Sequence, residues 1–176
     1  MASRILALLL IVVVVFGMTS LAQNKYVGVK MCAPCHKADK TGNQMAIWQK
    51  SQHAQAYKTL TAPKAAEIAK AKGIKNAAEA PECLDCHGGV DAKLVDKYEV
   101  KDGVQCETCH GAGSAYKSMA VMKDKAKAIA AGMKEFKDMA AVEKACKGCH
   151  NEKSPTFKEF KFEEMWGKIK HPVPKG

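Results

Sequence analysis

The chain has 176 residues and a formal net charge of +10, and 47% of it is hydrophobic but only 6% aromatic. A basic excess of this size suits nucleic acid, yet no platform of interleaved aromatic and basic residues accompanies it, so nucleic acid is not an expected partner. No Ser-His-Asp set, carboxylate pair or phosphate-cradling loop stands out. The large apolar side chains are also too few to fill the core of a domain this long by themselves.

Met1-Ala2-Ser3-Arg4 is a short basic start, Ile5 to Phe16 is apolar, and Ser20-Leu21-Ala22 supplies small residues for cleavage. Residues 1–22 therefore read as a signal peptide, too short in its apolar run to span a bilayer comfortably. No cysteine follows the cleavage position, which argues against a lipid anchor. Residues 23–176 make one domain by length.

The first element of that domain is Cys32-Ala-Pro-Cys35-His36, and the same Cys-x-x-Cys-His signature recurs as Cys83 to His87, Cys106 to His110 and Cys146 to His150. All eight cysteines (Cys32, Cys35, Cys83, Cys86, Cys106, Cys109, Cys146 and Cys149) fall in it. On a helical turn the first cysteine, the second cysteine and the histidine share one face. That places two thiols to form thioethers with a porphyrin and an imidazole to ligate its iron, the pattern of c-type haem attachment. Four disulfides or Cys-x-x-Cys zinc sites compete with this reading, but neither explains a histidine after the second cysteine in every case. Four haems c are therefore the expected cofactors, with His36, His87, His110 and His150 as proximal ligands. Four flat apolar porphyrins would also supply the missing core, so the haem-free chain is expected not to fold stably. Loss of Arg4 with the leader lowers the charge to +9. Eight propionates would bring it to about +1 with ferrous iron or about +5 with ferric, which removes most of the apparent basic excess.

Between and after the motifs the pattern is helical. A helix is expected from Gln44 to about Leu60, and another from Pro63 to Lys72, closed by Gly73. Short alternation around Leu94, Val95, Tyr98 and Val100, with a turn at Asp102-Gly103, suggests a small hairpin within Asp91 to Gln105. Ser114 can cap a helix from Ala115 to Ala131 that Gly132 stops. A further helix is expected from Glu135 into the fourth motif, and a last one from Phe162 to Lys170, ended by Pro172. The fold class is mainly α: one haem-packed tetrahaem cytochrome c domain with little β. The motifs begin 51, 23 and 40 residues apart, and the short middle interval predicts that the second and third haems lie close together.

Axial ligands decide what each iron can do, because two protein ligands close it for electron transfer and an empty position admits a small molecule. Beyond the four proximal histidines the chain has two more, His53 and His171. His53 is flanked by small Ala54 and Ala56, with Tyr57 one turn on along the same face, and His171 follows the last helix. Both are candidate distal ligands. Met119 and Met122, three residues apart after the third motif, are candidate thioether ligands whose ordinary use would be packing. By this count at least one iron is expected to be five-coordinate.

Three stretches carry a resemblance. Cys32 to Lys37 is followed by Trp48 and Ser51-Gln52-His53-Ala54; Gly103-Val104-Gln105 precedes Cys106 to Gly111; and Phe160-Lys161-Phe162-Glu163-Glu164-Met165 leads to His171. In these the chain resembles the tetrahaem cytochrome c-554 family, electron acceptors of hydroxylamine oxidoreductase in nitrifying bacteria. The resemblance implies a mainly helical fold with haems in stacked pairs. It implies His53 as distal ligand to the third haem (His110), His171 to the fourth (His150), and a five-coordinate second haem (His87). Family members carry a further distal histidine soon after the Gly-x-Gly that follows the third motif. Here Ser114 to Ala120 contains none, which leaves the first haem (His36) without it.

The expected function is periplasmic electron transfer, an electron carrier rather than an enzyme. Its expected partners are redox proteins, a membrane quinol or oxidoreductase complex among them. Two alternatives stay open: a reductase of nitric oxide or nitrite type at an open haem, and a subunit of a multihaem redox assembly in which a neighbouring chain supplies a ligand.

Overall fold

Ten short α-helices and four 3₁₀ turns carry residues 23–172, the part of the chain that the computed structural model describes. The helices are α1 (Val29–His36), α2 (Gln44–Lys50), α3 (Ala56–Leu60), α4 (Pro63–Ala71), α5 (Pro81–His87), α6 (Cys106–His110), α7 (Met119–Met122), α8 (Lys125–Ala130), α9 (Met139–Cys146) and α10 (Phe162–Ile169). The fold is mainly α, as the sequence indicates, and among the described residues the nearest approach to a sheet is one parallel bridge between Tyr26 and Val95. The expected signal peptide, residues 1–22, lies outside the described residues. No described helix is long and apolar enough to cross a membrane. The longest, α4, has nine residues. Isolated helices of that length are marginal in water, so long-range contacts must hold them.

Pro63 opens α4 at its first position and Gly73 follows it at φ 70°, close to the expected bounds. α10 also runs nearly as expected. Four other elements differ. The Gln44 to Leu60 helix is interrupted because Ser51 adopts extended backbone (φ −82°, ψ 159°) and turns its Oγ back to donate to the Trp48 carbonyl at 2.7 Å. His53 then begins a 3₁₀ turn over His53–Gln55, where three residues per turn align it with Ala56 rather than Tyr57. The hairpin is absent: 3₁₀ turns occupy Ala92–Leu94 and Val100–Asp102, and Tyr26 pairs with this stretch instead. The Tyr26 N–H donates to the Leu94 carbonyl at 2.8 Å, and the Asp96 N–H to the Tyr26 carbonyl at 2.9 Å.

The expected helix from Ala115 becomes α7 and α8. Ser114 does not cap it, because its hydroxyl accepts from the Lys25 N–H at 2.9 Å while its own N–H donates to the Lys25 carbonyl at 3.1 Å. Asp124 caps α8 by accepting from the Lys127 N–H, and Gly132, at φ 102°, follows its end as expected. Asp138 caps α9 through the Ala141 N–H at 2.7 Å, so that helix starts four residues later than Glu135.

The side-chain core is small. Of ten buried hydrophobic residues described, four are alanines, which leaves the interior short of large apolar groups for a domain of this length. One cluster joins Leu60, Ala69 and Ala77 beneath α3, α4 and α5, with Ile74 and Leu84 packed on it. Val27, Val29 and Tyr116 are buried at the third motif, bonded to Glu107, Gln105 and the Gly111 carbonyl respectively.

Candidate haem centres

Each motif is held by its own local device. In the first, α1 carries Cys32, Cys35 and His36, and the His36 Nδ1 lies 3.2 Å from the Gln44 Oε1. The other end of that amide donates to the Pro172 carbonyl at 2.9 Å, so Gln44 joins His36 to the segment that carries His171. In the second, Pro81 starts α5, and the His87 Nδ1 donates to the Ala56 carbonyl at 2.6 Å, with the Thr59 hydroxyl at 3.1 Å. A carbonyl can only accept, so Nδ1 carries a proton and Nε2 is the nitrogen left to face a metal. A hydrogen bond at the far ring nitrogen of this kind orients a histidine for a metal.

In the third motif α6 ends at Gly111, whose φ of 82° turns the chain away. A Cβ there would meet the Gly132 carbonyl at 3.0 Å, so this exit requires glycine. The Tyr116 hydroxyl donates to the Gly111 carbonyl at 2.6 Å and the Lys134 N–H to the His110 carbonyl at 2.9 Å. In the fourth, Cys146 is the last residue of α9, and the His150 N–H donates to its carbonyl at 3.0 Å. Asn151 Nδ2 closes that turn on the Lys147 and Gly148 carbonyls. Phe160 stacks on the His150 ring, with centroids 4.6 Å apart and planes 19° from parallel.

Both spare histidines face motif histidines. The His53 and His150 ring centroids are 6.0 Å apart, and those of His171 and His110 are 5.8 Å apart. These spacings are close to the ~6 Å needed by two imidazoles on opposite sides of one metal with M–N bonds of roughly 2 Å. The partners are the reverse of those that the resemblance implies, which puts His53 with His110 and His171 with His150. The cause lies in how His53 is anchored. Its carbonyl accepts from the Val104 N–H at 2.9 Å, and Trp48 Nε1 donates to the Val104 carbonyl at 2.7 Å. The backbone is thus fastened just ahead of the third motif while the ring turns to the fourth. Burial lowers the His53 pKa and nearby His150 adds to this. Burial likewise brings His110 down to about 4, with His171 and then His36 contributing. A buried histidine kept neutral is in the form that binds a metal.

The thiols sort the motifs into pairs. Cys32 lies against Cys106, and hydrogen bonding to it, followed by burial, pushes the Cys32 thiol far above its ordinary range. Cys149 is pushed up to about 11 by burial and then by neighbouring Cys86. The first motif therefore adjoins the third and the second adjoins the fourth, while Cys109 of the third also lies near Cys146 and Cys149 of the fourth. The short second-to-third interval does bring those two motifs together, but through Gly89 and Thr108 rather than through their cysteines: a Cβ on Gly89 would meet the Thr108 methyl at 2.8 Å. All eight cysteines are free, and among the described residues no group of three or more His, Cys, Asp or Glu stands together as a metal site. Free paired thiols, an imidazole presented by Nε2 and facing histidine rings fit covalent haem.

A family model described as "Cytochrome c554 and c-prime" matches residues 31–111. Over residues 31–111 the chain is therefore similar to the cytochrome c-554 family. The matched stretch contains the first three motifs. The cytochrome c-554 of Nitrosomonas europaea is 29% identical over 109 residues, a match covering 57% of this chain and 44% of that protein. The chain thus matches less than half the length of that relative. No solved structure matches the chain.

α7 carries the two candidate thioethers, Met119 at 60% exposure and Met122 half-buried. Several residues with structural roles around the Cys-x-x-Cys-His motifs carry no obvious sequence signal. Gln44 looks like any helix-start residue. Gln105 holds the first motif by accepting from the Val29 N–H at 2.7 Å and donating to the Glu99 carbonyl at 2.8 Å. Glu107, a variable position within the third motif, receives backbone N–H groups from residues 27, 28 and 113. An acidic residue inside the signature, followed by Gly-x-Gly, is the one hint that could have singled it out.

Proposed function

We propose that the protein is an exported, periplasmic electron carrier that holds four haems c on its four Cys-x-x-Cys-His motifs. The observation that carries this reading is the pairing of His53 with His150 and of His171 with His110 at ligand-like spacing. When bound, haem supplies a one-electron site whose chemistry depends on its axial ligands. His150 with His53, and His110 with His171, close two such sites to small molecules. His36 and His87 have no third and fourth spare histidine to draw on, since the chain has six in all. Their distal positions are filled by methionine, with Met119 and Met122 as candidates, or left open.

The carrier receives electrons from one redox protein and passes them to another, with a membrane quinol or oxidoreductase complex as the proposed class of donor or acceptor. Its export rests on the leader-like residues 1–22. Reductase chemistry at the His87 site is the second reading, and the same missing ligand motivates it. Titration of the purified holoprotein with carbon monoxide, followed by optical and electron paramagnetic resonance spectra, tests both. A carrier binds the gas at no more than the two irons held by His36 and His87 and shows no turnover of nitric oxide or nitrite. Sustained turnover would replace the carrier with the reductase.

A further inference from the structure

Glu107 attaches nothing, yet its side chain is among the two largest fully buried ones described, at 1% exposure. Its Oε1 accepts from the N–H of Gly113 at 2.6 Å and of Val27 at 3.0 Å, and its Oε2 from Gly28 at 2.7 Å and Val27 at 3.1 Å. With both oxygens filled by N–H donors, no position remains for a carboxyl proton, so the group is an anion. Glycine makes the cradle: a Cβ on Gly113 would stand 2.8 Å from Oε1, and Gly28 presents its N–H from φ 82°. Among the described residues no lysine or arginine forms an ion pair with Glu107. Backbone dipoles hold the charge without cancelling it, and in a buried setting its field is little screened.

That field is centred on the first and third motifs and reaches the edge of the second, where the Tyr98 hydroxyl bonds the Gly88 carbonyl. Cys32 of the first motif and Cys106 of the third both lie within its reach, as do Tyr26, Tyr98 and Tyr116. Near the other pair of motifs, Glu82 and Asp85 are exposed to solvent, where water and salt weaken them, and half-buried Glu143 is paired with Lys147 at 2.6 Å. We propose that Glu107 is a built-in anion that makes the first and third attachment sites the low-potential half of the molecule and the second and fourth the high-potential half. Adding an electron to a site beside a fixed negative charge is disfavoured, whatever the identity of the redox partner. The inference rests on the reading that the four motifs carry haem, and it makes Glu107 a tuning residue rather than a ligand.

The test is a potentiometric titration of the holoprotein, wild type against Glu107→Gln and Glu107→Asp, with haem content measured in each. Glu107→Gln is expected to make two of the four haems about tenfold easier to reduce, roughly 59 mV upward for one electron, and to move the other two much less. Glu107→Asp, which keeps the charge, is expected to restore most of the low potential. Four attached haems whose potentials do not move, or all move alike, would overturn the role of Glu107 alone. A wild-type protein without haem would remove the functional reading itself. If Glu107→Gln does not assemble, infrared difference spectra of wild-type protein with carbon-13 glutamate decide: a labelled carboxylate band that shifts as the low-potential pair is reduced is expected. A labelled band that ignores that reduction would overturn the proposal.

Discussion

The His171 imidazole lies almost parallel to that of His110, with ring centroids 5.8 Å apart and planes 16° from parallel. The two residues are 61 positions apart in the chain, and Gln44, which bonds both His36 and the Pro172 carbonyl, fastens the carboxy-terminal segment there. A residue beyond the last helix is thereby made part of the interior.

Exchanging the two distal histidines for alanine separates the observed pairing from the reversed one. His171→Ala is expected to open the iron held by His110, and His53→Ala the iron held by His150. Each should add one carbon-monoxide-binding haem. In a background lacking Cys146 and Cys149, His53→Ala should add none, because its partner haem is already gone. A new open iron in that background would restore the pairing that the resemblance implies.

Gly103 supports His53 from behind. It sits at φ 79° and ψ −151°, and a Cβ there would come 2.5 Å from the His53 carbonyl. Gly103→Ala is expected to cost about 1–3 kcal/mol from backbone strain. It should also give partial high-spin character at the fourth haem, checked by denaturant unfolding and resonance spectra of the same sample.

Gln44→Leu keeps the bulk of the side chain and removes its hydrogen bonds. The expected loss is about 0.5–1.5 kcal/mol per bond. Limited proteolysis should then cut near residue 170 faster than in wild type, while haem content stays the same.

The haem-free chain is expected not to fold. With four of the ten buried hydrophobic residues described being alanine, too little apolar area is removed from water to offset chain entropy. Circular dichroism of a chain with all eight cysteines replaced by alanine should show little helix and no cooperative melt.

The sequence made the motifs, the mainly helical class, and the bounds of α4 and α10 legible, because spacing, proline and glycine act locally. Other features depend on partners far away. Ser51 breaks a helix that propensity favours, and the segment it releases is then fastened by Trp48 and His53 to Val104. Ser114 serves the Lys25 backbone instead of a helix start. Tyr26 takes the place of a hairpin partner for Val95. No periodicity records such contacts, nor which way the His53 ring turns from its anchored backbone. Glu107 was hidden for the same reason: its partners at Val27 and Gly28 are 80 and 79 residues away.

The most direct test of the account is a count of haems and of their axial ligands in the purified mature protein, by intact mass and by low-temperature resonance with near-infrared dichroism. The account predicts four covalent haems, two of them low-spin with bis-histidine ligation and two, at His36 and His87, without a second histidine. Fewer than four haems, or a third bis-histidine haem in the monomer, would contradict it.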